Sequence, residues 1–314
     1  MSARPNSSIL YKNFKKLLVS LFYIKCNSEF GLSESANSIL ENICDRFVVL
    51  QLLAQRNQAK DYSFSGLTPN LFLEVFAEVI CGPIEAQMEH ALCLFRRIYD
   101  NLSKITVSEK ISELPLFFLF VEKLIAYCYG SEFYRKLGAC RGLATLLNFN
   151  LSSRWMWMQE SRIVRGLLFI LKDVPACASE DQTKLVSSTL LDFLKLCHSN
   201  KDMFDSDLKS KNQYYFNQVM SILISELTNS NSFVRDVVHL SFKLLSECNG
   251  CEVVELLSPH RDRLLLPIFT KPWRALPFSL QIGYVDAVNY CLNLKPPLVN
   301  FSEELLRLLH EALA

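Results

Sequence analysis

The chain has 314 residues, half of them hydrophobic, with Lys+Arg 33 against Asp+Glu 32. That length exceeds what one hydrophobic core organises, so it calls for two domains or a fold that grows in one dimension, and the composition excludes a disordered chain. A formal net charge of +1 lacks the basic surplus that phosphate-driven binding of nucleic acid requires.

In chain order, Lys12, Lys15 and Lys16 before LLVSLFYI imitate a signal peptide, but Lys25 follows and no small-residue cleavage site is present, so Leu10 to Lys25 reads as an apolar helix. Thr68 before Pro69 fits an N-cap with proline at the first helical position, opening a helix to Cys81. Gly82 and Pro83 stop that helix and start the next, where Ala91, Leu92, Phe95 and Ile98 keep helical spacing. The stretch from Leu114 to Gly130 is apolar but holds Glu122 and Lys123 and is short for a bilayer, which predicts a buried helix. From Tyr134 to Leu147, Gly138 and Gly142 share one helical face and predict a close neighbouring backbone. Ser232 is the expected cap of a helix carrying Phe233, Val234, Val237, Val238 and Leu240.

Second helices of such pairs start near Glu34, Ile84, Phe133, Lys184, Phe233 and Phe278, about 45 to 51 residues apart, each preceded by another apolar helix; the last of these is a Pro-broken stretch from Arg261 to Phe269. Two helices per unit at a period of about 40 to 47 residues are the signature of HEAT or armadillo arrays; the period here is slightly longer, which loop insertions explain. The expectation is all-α: a single HEAT-like α-solenoid of stacked antiparallel helix pairs over residues 1–314, about six and a half repeats. Gly 9 and Pro 11 together are about half the usual share, as short turns between long helices require. At the end, Ser302 caps a helix whose Leu305, Leu308, Leu309 and Ala312 form an apolar stripe that needs a partner, and the expectation is a piece of a longer array.

Chemistry has few candidates. Eleven cysteines scattered singly read as small buried hydrophobes of a reducing, cytosolic or nuclear compartment. Cys248 and Cys251 form a CxxC, a pattern that lowers a thiol pKa when it opens a helix, but Asn249-Gly250 between them reads as a turn and no second ligand pair lies nearby. His90, His198, His239, His260 and His310 lie far apart, and no phosphate-cradle, zinc-protease, hydrolase or kinase motif occurs, so no cofactor or metal is expected. Trp155, Met156, Trp157 and Met158 fall in a connection between helices and read as a plug between repeats. The segment PHRDRLLLPIFTKPWRALPFSLQIG, from Pro259 to Gly283, alternates cations with aromatics among four prolines. It reads as a proline-stiffened joint or as a docking surface for an acidic partner, whose contact residues would be Arg261, Arg263, Lys271, Trp273 and Arg274.

That segment, with DAVNYCLNLKPPL from Asp286, EELLRLLHEALA at the end, and YRKLGACRGLATLL with RWMWMQ, resembles the helical region of the TRRAP family (transformation/transcription domain-associated protein), large pseudokinases related to phosphatidylinositol kinases. The resemblance runs from Tyr134 to Ala314. It implies a non-enzymatic, nuclear scaffold of histone acetyltransferase complexes, with acidic transcription activators and complex subunits as partners and no direct nucleic acid, membrane or small-molecule substrate. A HEAT-type adaptor of nuclear transport or another kinase-related giant is the alternative within the binding class, and a thiol oxidoreductase using Cys248 and Cys251 is the alternative among enzymes.

Overall fold

A computed structural model describes residues 7–27, 29, 31–57, 69–199 and 206–313. Among these the secondary structure is helical without strands, as expected. The chain divides into two compact units, residues 1–159 with 175–186, and residues 160–174 with 187–314. Among the described residues no helix is long and apolar enough to cross a membrane.

The first unit contains α1 (Ser7–Lys25), α2 (Ser33–Asn57), α3 (Pro69–Ile80), α4 (Glu85–Ser103), the short α5 (Ser108–Ser112), α6 (Pro115–Cys128) and α7 (Phe133–Leu146). It also holds the beginnings of α8 (Ser153–Lys172) and α9 (Glu180–His198). Consecutive helices pair as α1 with α2, α3 with α4 and α6 with α7. First helices then stack on first helices, α1 on α3 on α6, and second on second, α2 on α4. Apolar side chains at helical spacing drive this stacking, because a lone pair leaves one face wet.

The core of this unit is a run of phenylalanines: Phe22 meets Phe76 edge-on at 5.4 Å, Phe72 lies on Phe47 at 4.2 Å, and Phe95 stacks on Phe120 at 3.9 Å. Phe117 continues the run to Trp155. Trp155, Met156 and Trp157 are buried, so they plug the core as expected, from the start of α8 rather than from a connection, whereas Met158 faces solvent. Tyr99 lies flat on Phe149 at 4.2 Å, and its hydroxyl accepts the Asn150 N–H at 2.7 Å.

Gly138 and Gly142 have different neighbours. A Cβ on Gly138 would stand 2.4 Å from the Ile80 carbonyl oxygen and 2.7 Å from Cys81 Cα, so α7 rests directly on the backbone that ends α3. A Cβ on Gly142 would meet only the Leu124 methyls, at 2.8 and 2.9 Å. Thr68, the expected cap of α3, lies outside the described residues.

The second unit continues α8 and α9 and adds α10 (Ser206–Glu226), α11 (Ser232–Asn249), the short α12 (Val253–Leu257), α13 (Arg261–Thr270), α14 (Phe278–Asn293) and α15 (Glu303–Leu313). The cap of α11 is Asn231, one residue before the expected Ser232: its side chain accepts the Phe233 N–H at 3.0 Å. Ser302 caps α15 as expected, accepting from the Leu305 N–H.

Helix α14 seats on α11 through Arg235, whose buried guanidinium donates to Asp286 at 2.5 Å and to the Asn229 carbonyl at 2.7 Å. His239 lies parallel to Tyr290 at 4.0 Å. A Cβ on Gly283 would stand 2.6 Å from the Thr228 carbonyl oxygen, the same device as Gly138.

Deep in this unit Glu160 of α8 and His198 of α9 meet at 2.6 Å, with side chains 0% and 1% exposed. The ring edge of Phe216 closes on His198, and the Cys197 thiol is pushed well up, first by burial and then by the Glu160 charge. Glu160 Oε2 and His198 Nδ1 have no hydrogen-bond partner among the described residues.

Two predictions follow from these contacts. Gly138→Ala and Gly283→Ala each lower stability by about 1–3 kcal/mol in urea denaturation, because rigid backbone meets the added methyl. Gly142→Ala costs less than either, because the Leu124 side chain can turn away and alanine favours the helix by about 1 kcal/mol. Removing one partner of the buried pair, by His198→Ala, leaves the Glu160 carboxyl without its hydrogen bond and costs about 1–3 kcal/mol. Replacing both with apolar residues, Glu160→Leu with His198→Leu, costs less than the two single changes summed, which a double-mutant cycle measures.

Candidate functional site

The basic and aromatic segment is mostly helical rather than a loop. Pro267 lies inside α13 as its seventh residue, where only the N–H toward Arg263 is lost. A 3-10 turn at Trp273–Ala275 then joins α13 to α14, and the Gln281 amide ties it down by donating to the carbonyls of Trp273 and Leu276.

Of the five contact residues expected from sequence, four cations face solvent and the tryptophan turns inward. Arg261 donates to the Leu298 carbonyl at 3.0 Å. Lys271 donates to the Tyr284 hydroxyl at 3.0 Å. Arg263 and Arg274 form no ion pair among the described residues. Trp273 is buried, anchoring the turn and forming one wall of a groove.

The groove, a cavity of about 580 Å³, runs between α14 and α15 and was not foreseen. Phe278, Ile282, Val285 and Leu292 of α14 line it, with Leu309 of α15 opposite. The missed signal is the i, i+4, i+7, i+14 spacing on α14, a stripe opposite the buried Ala287 and Cys291. The stripe expected on α15 is half covered: Leu305 and Leu308 are buried where α15 meets α13 and the turn, while Leu309 and Ala312 stay exposed.

Cys248 and Cys251 close a helix instead of opening one. Gly250 adopts φ 64°, its N–H donates to the Glu247 carbonyl, and the Cys251 N–H reaches back to Ser246, completing a Schellman turn. The carbonyl end of a helix does not favour a thiolate. Cys44, Cys128 and Cys291 are buried as expected, with thiols pushed up to about 12 by burial, whereas Cys93 and Cys177 are exposed and Cys26, Cys248 and Cys251 half-buried. The buried Glu160–His198 pair, 38 residues apart in sequence and so invisible to motif spacing, is closed to solvent. Among the described residues no three His, Cys, Asp or Glu side chains are placed to hold a metal ion.

The family described as the Tra1 HEAT repeat ring region matches residues 6–314, so the likeness extends over residues 6–133 as well. The SAGA complex/NuA4 acetyltransferase complex subunit TRA1 of Saccharomyces cerevisiae is 32% identical over 96% of this chain and 8% of its own length. The subunit of the same description from Schizosaccharomyces pombe is 30% identical over 98% of this chain, again 8% of its own length. The human transformation/transcription domain-associated protein is 28% identical over 74% of this chain and 6% of its length. The chain thus spans less than a tenth of these relatives. With a match over nearly every residue and helix pairs stacked first on first and second on second, the chain belongs to the Tra1 HEAT repeat ring family.

Proposed function

We propose that this chain is a non-enzymatic scaffold segment of a nuclear transcription coactivator, offering surfaces to acidic transcription activators and to subunits of a histone acetyltransferase complex. The observation that carries this reading is the family match over residues 6–314, shared with relatives named as acetyltransferase complex subunits. The two units belong to a single HEAT-like array within a longer one. The exposed cations Arg261, Arg263, Lys271 and Arg274 supply the charge for acidic partners, and Trp273 holds the turn that presents them. A scaffold role suits a chain whose histidine–glutamate pair and CxxC are both spent on packing and on ending a helix.

Two experiments test this. The natural product carrying this segment, affinity-purified from nuclear extract, should bring down histone acetyltransferase activity; its absence from the preparation would remove the scaffold assignment. A labelled acidic activation peptide titrated against the chain should bind about tenfold more weakly to an Arg263→Glu, Arg274→Glu double variant than to wild type, the scale of a lost contact in an interface hot spot. Equal affinities would free these cations from the site.

A further inference from the structure

We propose that the groove between α4 and α7 is a further interaction site, which takes an extended peptide segment of a partner protein carrying a basic residue and, three residues away, an acidic one. It lies wholly in the first unit, apart from the cations of α13 and the turn, and goes beyond the scaffold reading by naming what that unit receives.

An internal repeat shows what the groove lacks. Glu41, Asp45, Arg97 and Asn101 recur 44 residues on as Glu85, Glu89, Arg141 and Thr145. In the first set Arg97 donates to Asp45 at 3.2 and 2.9 Å and bridges to Glu41 at 3.0 Å, and the Asn101 amide donates to Asp45 at 2.8 Å. Those contacts fasten α4 to α2. In the second set Arg141 of α7 reaches Glu85 of α4 at 3.0 Å and donates to Met88 Sδ at 3.4 Å, while the Thr145 hydroxyl turns back to the Arg141 carbonyl. Glu89 is therefore the counterpart of a carboxylate that accepts three hydrogen bonds, and among the described residues it has no ion pair. Gly138 seats α7 on the main chain that ends α3, and a cavity of about 450 Å³ lies between α7 and α4.

The lining selects the occupant. Met88, Leu92 and Thr145 are its buried part, and Leu185 of α9 adds further apolar surface. Glu85 and Arg141 cancel each other, but Glu89 and Arg96 do not. Both are exposed, neither has an ion pair among the described residues, and they stand seven residues, about 10 Å, apart along α4. Arg97 is spent on α2, whereas Arg96, its neighbour in sequence, lines the groove with Asn148 of the α7 side. One end thus calls for a cation and the other for an anion. A polyproline II segment projects residues i and i+3 on one side about 9 Å apart, so Lys and Glu at those positions meet both ends, and apolar residues between them suit the Met88 and Leu92 surface. A doubly acidic or doubly basic segment sets like charges together at one end.

The test uses fluorescence anisotropy with labelled peptides of about ten residues built around Lys-Leu-Pro-Glu, where proline holds the preceding residue extended. Matched peptides carry Lys at both charged positions or Glu at both. The chain should bind the mixed peptide about tenfold more tightly than either. Glu89→Lys should shift the preference to the doubly Glu peptide and Arg96→Glu to the doubly Lys peptide, and both variants, at exposed positions, should leave melting by circular dichroism unchanged.

Absence of binding by the mixed peptide, equal uptake of all three, or a preference that neither variant moves overturns the proposal. So does self-association that Glu89→Lys removes while no peptide binds, which would make the occupant a second copy. Binding to this chain but not to the longest natural product carrying it would make the occupant a segment of the same polypeptide, and would also overturn it. None of these outcomes touches the co-purification of acetyltransferase activity, so failure of the groove and failure of the scaffold reading are distinguishable.

Discussion

Backbone can touch backbone between helices only where a side chain is missing, and both units depend on such a contact. Gly138 is the sixth residue of α7 and Gly283 the sixth residue of α14, each helix beginning at a phenylalanine. Each glycine sits on the main chain at the end of an earlier first helix, Ile80–Cys81 after α3 and Thr228–Asn229 after α10. This close approach sets how near one pair lies to the next. The aromatic contacts of the first unit and the Arg235–Asp286 and His239–Tyr290 contacts of the second fit only at that spacing. A glycine in a helix sacrifices about 1 kcal/mol of propensity, and here the closer packing of apolar surface offsets it.

Ion pairs contribute in a different way. Lys15 bridges to Glu74 and Glu78, and Arg97 to Asp45 and Glu41, with side chains about a third exposed, where such pairs are worth about 0–1 kcal/mol each. Their effect is on register more than on stability: each joins like helices of successive pairs, α1 to α3 and α2 to α4. Arg235 differs because it is buried. Its value depends on the full set of acceptors at Asp286, Asn229 and Ser230, and a missing acceptor would strand a charge in the core.

Local chemistry made the helix pairs legible in the amino-acid sequence, and non-local contact hid most of the rest. Gly82–Pro83, Ser302 and the apolar spacing of α4 and α11 act over a few residues, so their helices stand where punctuation puts them. Pro267 misled because a proline late in a short helix removes one hydrogen bond and leaves the other turns intact. The inward turn of Trp273 was invisible because it depends on Gln281, eight residues on, and on α15 beyond. Alternation of cations with aromatics marked the right neighbourhood of the candidate site, yet the apolar stripe of α14 became visible only once Ala287 and Cys291 were known to face inward. The Glu160–His198 pair joins residues 38 apart, a separation at which no spacing rule operates.

The glycine contacts also dictate where such a chain can change length. One residue gained or lost between Phe278 and Gly283 would rotate the glycine by about 100° around α14 and aim a side chain at the Thr228 carbonyl. The segments joining helices carry no such phase. The yeast relatives align over 315 and 319 residues against 96% and 98% of this chain's 314, so each alignment spans residues that this chain lacks, and by this geometry those belong in the connections. Among members of the family, the position of each insertion therefore becomes a map of helix phase, readable without coordinates.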